Sequence, residues 1–349
     1  MRRVTRWLTA PWFRRSATVG AALLIVGIAL PRMASFAEIR PALATMSWPF
    51  VVVLTLVTVW NLLSYGLVVA AATPGMTRFQ GLVVTQSSGA VANALPGGGA
   101  LGIGVTAAMY RSWGFTPAST SLAVLMTGIW NVFLKLSLPV AVLGLLLATG
   151  DASWFAATRV GIGVGLVVAS TILLVKLVRH DRFVQRTATL VERGVNAVRR
   201  VVRRTPVTGW AASASLLRIE AHDLLRHRWL RLTLATAASH LSAFAVLYFA
   251  VRGVGIDGRA VGALQILGAF ALVRVLSTIP ITPGGVGVVE VGLSGALIAA
   301  GAARGPAVAG VLVFRTLTYL TPIVAGLPAY LVWRYRTSWR TGAVESAGT

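Results

Sequence analysis

The residues best suited to chemistry in this chain are charged side chains placed inside apolar stretches. Glu290 lies seven residues beyond Pro283 in such a stretch, where an isolated carboxylate would be energetically costly. We therefore expect Glu290 to be paired or protonated, with Arg274 and Arg315 as candidate partners. A guanidinium also binds phosphate oxygens in a bidentate manner, so Arg315 would suit a phosphate group. The pattern favours a structural ion pair and a role in handling substrate or protons equally, and the two can coexist.

Four other polar residues lie within or beside apolar stretches. Lys135 is near the centre of the stretch 116–149, where a charge is most costly in a membrane, so we expect it to face a cavity and meet a carboxylate or a lipid phosphate. Asn93 could line the same cavity or hydrogen-bond free backbone groups. Arg111 could contact a lipid head group or anchor the chain at the membrane interface. His240 more often indicates a hydrogen bond between helices than a proton relay.

The residue types needed for most enzyme chemistry are scarce. The chain has no cysteine, four histidines and nine acidic residues. It contains no H-E-x-x-H zinc motif, no G-x-x-x-x-G-K-[ST] phosphate loop and no G-x-S-x-G nucleophile motif. We therefore predict no catalytic residue, no metal site and no cofactor, and the chain is not predicted to be an enzyme.

Two Pro-Gly-Gly sequences interrupt apolar segments in the two halves of the chain. Proline cannot continue a helix and glycine tolerates positive φ, so each sequence predicts a break between two apolar arms. Lipid cannot satisfy the freed backbone groups, which must be buried in protein or line a wet cavity. A helix starting there would present its positive end to an anion, although close helix packing is an alternative explanation. The predicted tip residues are Pro96, Gly97, Gly98, Pro283, Gly284, Gly285 and Gly287.

The composition indicates a membrane protein. Of 349 residues, 56% are hydrophobic and 12% are charged, whereas a soluble domain carries about 25% charged residues. The net charge of +23 comes mostly from arginines between the apolar stretches, where membrane proteins place positive charge. For that reason the charge does not predict a nucleic-acid partner.

The apolar stretches predict an all-α fold with six full spans, at 16–30, 48–72, 116–149, 154–178, 229–251 and 305–335. The arginines place both chain termini in the cytoplasm. The preference for arginine and the richness in alanine look bacterial, so we expect the protein in a bacterial plasma membrane. The intervening segments 73–115 and 252–304 then have both ends on one side of the membrane. Each is predicted to be a re-entrant hairpin, and the two enter from opposite faces.

The order span, hairpin, span therefore occurs twice in one transmembrane domain that comprises residues 1–349. The first repeat covers 48–149 and the second covers 229–335. This predicts an inverted repeat, an arrangement found in many secondary transporters. A basic amphipathic connector at 179–228 is expected to lie along the inner leaflet.

Residues 282–290 read TPGGVGVVE, which resembles the TPGGxGxxE motif of the lysylphosphatidylglycerol synthase transmembrane-region family, also called flippase-like integral membrane proteins. Residues 93–98 read NALPGG and, with the arginine at 111, look like the N-terminal signature of that family. The resemblance covers roughly 48–335. It implies a multi-pass domain that moves lipids or lipid-linked molecules between leaflets, with aminoacylated phosphatidylglycerol as the best-known cargo class. The residues it implicates are Pro96, Gly97, Arg111, Pro283, Gly284, Gly285, Gly287 and Glu290.

Two departures from the family pattern change what we expect. Many members carry a glycine–acid pair soon after the first Pro-Gly, but residues 98–102 contain no acid, which argues against a symmetric mechanism with two carboxylates. The soluble aminoacyl-transferase domain of the full synthases is also not found, so we expect this chain not to synthesise lysylphosphatidylglycerol.

Taken together, the residues and the resemblance predict translocation of a lipid or lipid-linked head group across the membrane, through a cavity at the two tips. Arg274, Arg315 and Lys135 would neutralise the phosphate, and Glu290 would orient them or exchange a proton. The predicted partners are membrane lipids, either an anionic or amphoteric phospholipid or a lipid-linked glycan.

Two alternatives stay open at this point. The first is a proton-coupled secondary transporter of small solutes that uses Glu290 as its proton carrier. The second is a non-transporting membrane partner of an enzyme of envelope-lipid or glycan synthesis, which the basic connector would dock.

Overall fold

The computed structural model describes residues 36–95, 98–148, 172, 176, 180–201, 205–278 and 282–339. Within these residues the chain is helical and contains no strand. The predicted span 16–30 and nearly all of the predicted span 154–178 lie outside the described residues, as do Pro96 and Gly97.

We number the described α-helices in chain order. They are α1 (Phe36–Ala44), α2 (Trp48–Ala72), α3 (Arg78–Ala94), α4 (Gly98–Ser112), α5 (Pro117–Ala148), α6 (Asp181–Val201), α7 (Trp210–Gly253), α8 (Ala263–Leu276), α9 (Val288–Ala299), α10 (Arg304–Arg315) and α11 (Thr321–Tyr335). A π-helical segment, Thr316–Leu320, joins α10 to α11 without interrupting the helical path.

Four helical stretches are long and apolar enough to cross a membrane. They are Trp48–Ala72, Pro117–Leu146, Trp210–Gly253 and Arg304–Tyr335. These four coincide with predicted spans, which confirms the all-helical membrane class. The helix Trp210–Gly253 also shows that the second part of the basic connector runs into the following apolar stretch as one continuous helix.

Two pairs of shorter helices lie between the long ones. In the first half α3 packs against α4, and in the second half α8 packs against α9. The longest of these, α3, has 17 residues, which corresponds to about 25 Å of helix. That is shorter than the hydrocarbon core of about 30 Å. The order of long helix, short pair and long helix therefore occurs twice along the chain.

The two halves are interleaved. Helix α7 packs against α2, and α11 packs against α3. Gly66 and Gly81 bring α2 and α3 into backbone contact, and Gly326 brings α11 against Ala90 of α3. A β-carbon at any of these glycines would collide with the neighbouring helix, so small residues permit this close approach.

Buried polar side chains link α2 to α7. Asn61 donates from Nδ2 to Ser242 Oγ at 2.7 Å, and Ser64 donates to the Asn61 carbonyl at 2.6 Å. All three side chains are buried. Such hydrogen bonds stabilise helix contacts where water cannot compete for the polar groups.

The basic connector contains a helical hairpin. Helix α6 packs against the start of α7, and Asn196 both donates to and accepts from the backbone of Val207. Glu192 accepts from the Trp210 backbone N–H at 3.0 Å, and Arg218 bonds Asp181 at 3.2 Å. These contacts join residues that are distant in the sequence. Hydrophobic periodicity reports only local structure, so it predicted an amphipathic connector and not the helical hairpin.

Candidate functional site

Glu290 lies in the first turn of α9 and is only 6% exposed. Its Oε2 accepts a hydrogen bond from the Gly287 backbone N–H at 2.7 Å, which caps the start of the helix. Its Oε1 accepts from Arg315 Nε at 2.6 Å. Both carboxylate oxygens are therefore bonded within the protein, and the start of α9 already has an anion of its own.

Arg315 joins the end of α10 to the turn that precedes α9. Besides its ion pair with Glu290, it donates from Nη2 to the Gly284 carbonyl at 3.1 Å. Of the two arginines considered as partners for Glu290, the structure thus pairs Arg315 with the carboxylate. The Arg315 guanidinium therefore binds both the Glu290 carboxylate and the backbone carbonyl of Gly284 in the turn.

The turn itself depends on glycine. Gly284, Gly285 and Gly287 have φ of +60°, +68° and +85°, a region that L side chains rarely adopt. The Tyr319 ring also lies against Gly284, where a β-carbon would collide with it. The sequence predicted this break from Pro283 onward, and the 3₁₀ turn Pro283–Gly285 begins at that proline.

Tyr319, which sequence reasoning did not single out, connects this turn to the first half of the chain. The Arg315 guanidinium carbon lies 4.6 Å from the centre of the Tyr319 ring. The Tyr319 hydroxyl donates to the Asn93 carbonyl at 2.8 Å, across a sequence separation of 226 residues. Asn93 therefore takes part through its backbone, at the end of α3. The π-helical segment that contains Tyr319 is a feature often found at functional sites.

A cavity of about 320 Å³ lies beside the turn. Three cationic side chains line it, namely Lys135 from α5, Arg274 from α8 and Arg315 from α10. Among the described residues that line it, none is acidic, and the hydroxyl-bearing ones are Tyr65, Ser277, Thr278, Thr282 and Thr318. The structure thus brings the three predicted phosphate-binding cations to one cavity.

Arg274 contacts His240, for which the sequence favoured a hydrogen bond between helices over a proton relay. Its Nη2 lies 3.0 Å from His240 Nδ1, and His240 also bonds the backbone of Asn131. Because arginine only donates, the His240 Nδ1 must accept, which leaves the ring proton on Nε2. His240 therefore orients Arg274 and ties α7 to α5 and α8.

The remaining predicted residues lie elsewhere. Arg111 lines a separate cavity of about 650 Å³ with Trp210 and Leu217, beside the connector. Gly98 begins α4 and contacts the carbonyls of α3. Neither Arg111, Asn93 nor Gly98 lines the cavity at Glu290 and Arg315.

Metal chemistry has no candidate centre in the part of the chain that the structure describes. There, no group of three or more histidine, aspartate or glutamate side chains is placed to hold a metal ion. The site's chemistry instead rests on fixed positive charge and hydroxyl donors.

Comparison with known proteins identifies the family of this chain. No curated protein matches the chain. The family model described as the lysylphosphatidylglycerol synthase TM region matches residues 17–326, which include every helix that builds the cavity. The chain therefore belongs to the lysylphosphatidylglycerol synthase transmembrane-region family and is a multi-pass membrane protein.

Proposed function

We propose that this protein moves the head group of an anionic or amphoteric lipid, or of a lipid-linked molecule, between the leaflets of a bacterial plasma membrane. The observation that carries the proposal is the cavity of about 320 Å³ at the glycine-rich turn, which Lys135, Arg274 and Arg315 line. Cationic and hydroxyl donors at a break in apolar helices are suited to a phosphate group.

The two pairs of short helices supply the route in this proposal. We take α3 with α4, and α8 with α9, as re-entrant hairpins that enter from opposite faces and form an inverted repeat. Their shortness relative to the hydrocarbon core supports this interpretation. The end of α3 packs against the turn Pro283–Gly285, and Tyr319 contacts both, with its ring against Gly284 and its hydroxyl bonded to the Asn93 carbonyl. These contacts support an approach of the two hairpins near their ends. The arginine distribution favours cytoplasmic chain termini.

In this mechanism Glu290 acts through Arg315. The carboxylate accepts from Arg315 Nε and from Gly287 N–H, and so holds the guanidinium against the turn. Lys135 and Arg274 are then the cations that meet the incoming phosphate. The head group would exchange contacts with water for contacts with these donors while its acyl chains stay in lipid.

Head-group accessibility in proteoliposomes tests the proposal. A lipid with a fluorescent head group is quenched from outside by a membrane-impermeant reductant, and the fraction that becomes accessible over time reports translocation. We expect faster exposure with the protein than in protein-free vesicles. We also expect a reduced rate for Glu290→Gln, because the guanidinium loses its charged partner.

The matched control is Glu220→Gln, because Glu220 is exposed on α7 and away from the cavity. It should translocate at the wild-type rate. Equal rates in protein-containing and protein-free vesicles would overturn the proposal. An unchanged rate in Glu290→Gln would remove only the part assigned to the carboxylate. Uptake of a water-soluble substrate after a pH jump, without lipid transfer, would favour the small-solute transporter instead.

A further inference from the structure

The charge inside the cavity is not balanced by the protein. Arg315 is neutralised by Glu290, its ion-pair partner at 2.6 Å. Lys135 and Arg274 have no carboxylate partner among the described residues, and they are close enough to repel each other. Two cationic side chains therefore line the cavity without a carboxylate partner, in surroundings where unpaired charge is costly.

Two hydrogen-bond donors at the cavity also lack a partner. Thr282 is only 6% exposed, and its Oγ1 has no hydrogen-bond partner among the described residues. The Nε of Arg274 is buried and equally unsatisfied. Buried donors of this kind are normally bonded, so their presence beside two cations that have no carboxylate partner among the described residues points to a ligand with several acceptor oxygens.

The acceptor must offset about two charges. A phosphate monoester carries about −1.5 to −2 charge near pH 7. A diphosphate diester, with one ionised oxygen on each phosphorus, carries a similar charge, and a diphosphate monoester carries more. A phosphodiester such as phosphatidylglycerol carries one negative charge. A lysine ester of that lipid carries more positive than negative charge, and its ammonium groups would meet Lys135 and Arg274 with like charge.

We infer that the cavity selects lipids whose head group ends in a phosphate monoester or diphosphate ester, over phosphodiester lipids and over their cationic aminoacyl esters. This inference rests on the proposed function for its lipid context. Lys135, Arg274 and Thr282 are the residues that make the selection. Arg315 is a positioning residue, because its charge is already matched.

Competition binding tests the inference without relying on transport. Purified protein in detergent micelles binds a fluorescent phosphatidic acid, which bears a phosphate monoester. Unlabelled phosphatidic acid, phosphatidylglycerol and lysylphosphatidylglycerol then compete for the site. We expect phosphatidic acid to compete on the order of tenfold better than phosphatidylglycerol, with the lysyl ester weakest.

Charge-removing and charge-keeping variants separate the electrostatic cause from misfolding. Lys135→Gln and Arg274→Gln should each bring the ratio of the affinities for phosphatidic acid and phosphatidylglycerol toward one. Lys135→Arg and Arg274→Lys keep the charge and should keep the preference. Arg259→Gln removes a charge at an exposed position outside the cavity and should also keep it.

Three results would overturn the inference. They are equal competition by phosphatidylglycerol and phosphatidic acid in the wild type, a preference that survives both glutamine substitutions, and displacement of the lipid by inorganic phosphate at the same concentration. The last result would assign the cavity to free phosphate. Selective binding without transfer in proteoliposomes would overturn the proposed function and leave this inference standing. Lipid transfer without selective binding would overturn this inference and leave the proposed function standing.

Discussion

The two breaks that share a Pro-Gly-Gly sequence have different surroundings. Beside the second break, the cavity of about 320 Å³ is lined by Lys135, Arg274 and Arg315. Beside the arms of the first break, a cavity of about 290 Å³ is lined by apolar and hydroxyl-bearing residues, with no charged side chain among the described ones. Cavities of similar volume thus differ in the chemistry that they can perform, and volume alone does not identify a site.

The structural requirement for glycine also differs between the two breaks. At Gly98 the need is space, because a β-carbon would collide with the carbonyls of Val91 and Ala92. At Gly284 the need is both space and a positive φ, and the turn carries a carbonyl that Arg315 binds. We conclude that the first break packs two helices together, and that the second also holds the charged site.

The largest expected effect is on the free energy of unfolding, and it compares removal of the buried ion pair with removal of a partly exposed pair. Arg315→Ala leaves Glu290 buried and unpaired, so we expect a loss of about 3–5 kcal/mol in the free energy of unfolding. Arg218→Ala disrupts the partly exposed contact with Asp181, and we expect a loss of about 1 kcal/mol or less. Unfolding of purified protein in detergent, followed by circular dichroism, measures both. Similar losses in the two variants would contradict the distinction.

The next comparison concerns alanine substitutions at Gly284 and Gly98. Gly284→Ala forces a side chain into a positive-φ position against the Tyr319 ring, and we expect destabilisation of about 1–3 kcal/mol. Gly98→Ala should destabilise by a similar amount through its clash with α3. Only Gly284→Ala should also weaken lipid binding beyond the loss of folded protein. A binding defect confined to Gly98→Ala would reverse the roles assigned to the two breaks.

The smallest expected effect concerns the bond between the halves. Tyr319→Phe removes the hydroxyl that donates to the Asn93 carbonyl, and we expect a loss of about 0.5–1.5 kcal/mol in stability. Tyr330→Phe is the matched control, because Tyr330 has a ring contact with Trp333 and its hydroxyl makes no hydrogen bond to another described residue. Thermal unfolding compares the pair. An equal loss of stability in Tyr330→Phe and Tyr319→Phe would contradict a stabilising role for the hydrogen bond between Tyr319 and Asn93.

Sequence reasoning reached some parts of the site because the signals are local or physically compelling. The cost of burying Glu290 in an apolar segment limits its partners to a few cations, and Arg315 was one of two considered. The run of glycines after Pro283 likewise predicted a break where three positive-φ residues lie. The four long apolar stretches predicted the helices that are able to span the membrane.

Other parts depend on contacts that no local pattern encodes. The bond from Tyr319 to Asn93 joins residues 226 positions apart, and it uses the Asn93 backbone carbonyl, which the side-chain pattern of the sequence does not reveal. The pairing of His240 with Arg274 requires knowing how α7 and α8 pack. Helix α1 was not predicted because it is short and is held by packing against α10, where Gly305 contacts the Glu38 backbone.

The most direct test of the central claim uses the absence of native cysteine. Ser277→Cys places a thiol in the charged cavity, and Ser88→Cys places one in the uncharged cavity of the first half. Both variants are treated in membranes with a water-soluble maleimide, with and without added phosphatidic acid. We predict that the Ser277→Cys protein is labelled and is protected by the lipid, while the Ser88→Cys protein shows no lipid-dependent protection. Equal protection of both thiols, or protection at Ser88→Cys alone, would contradict the account.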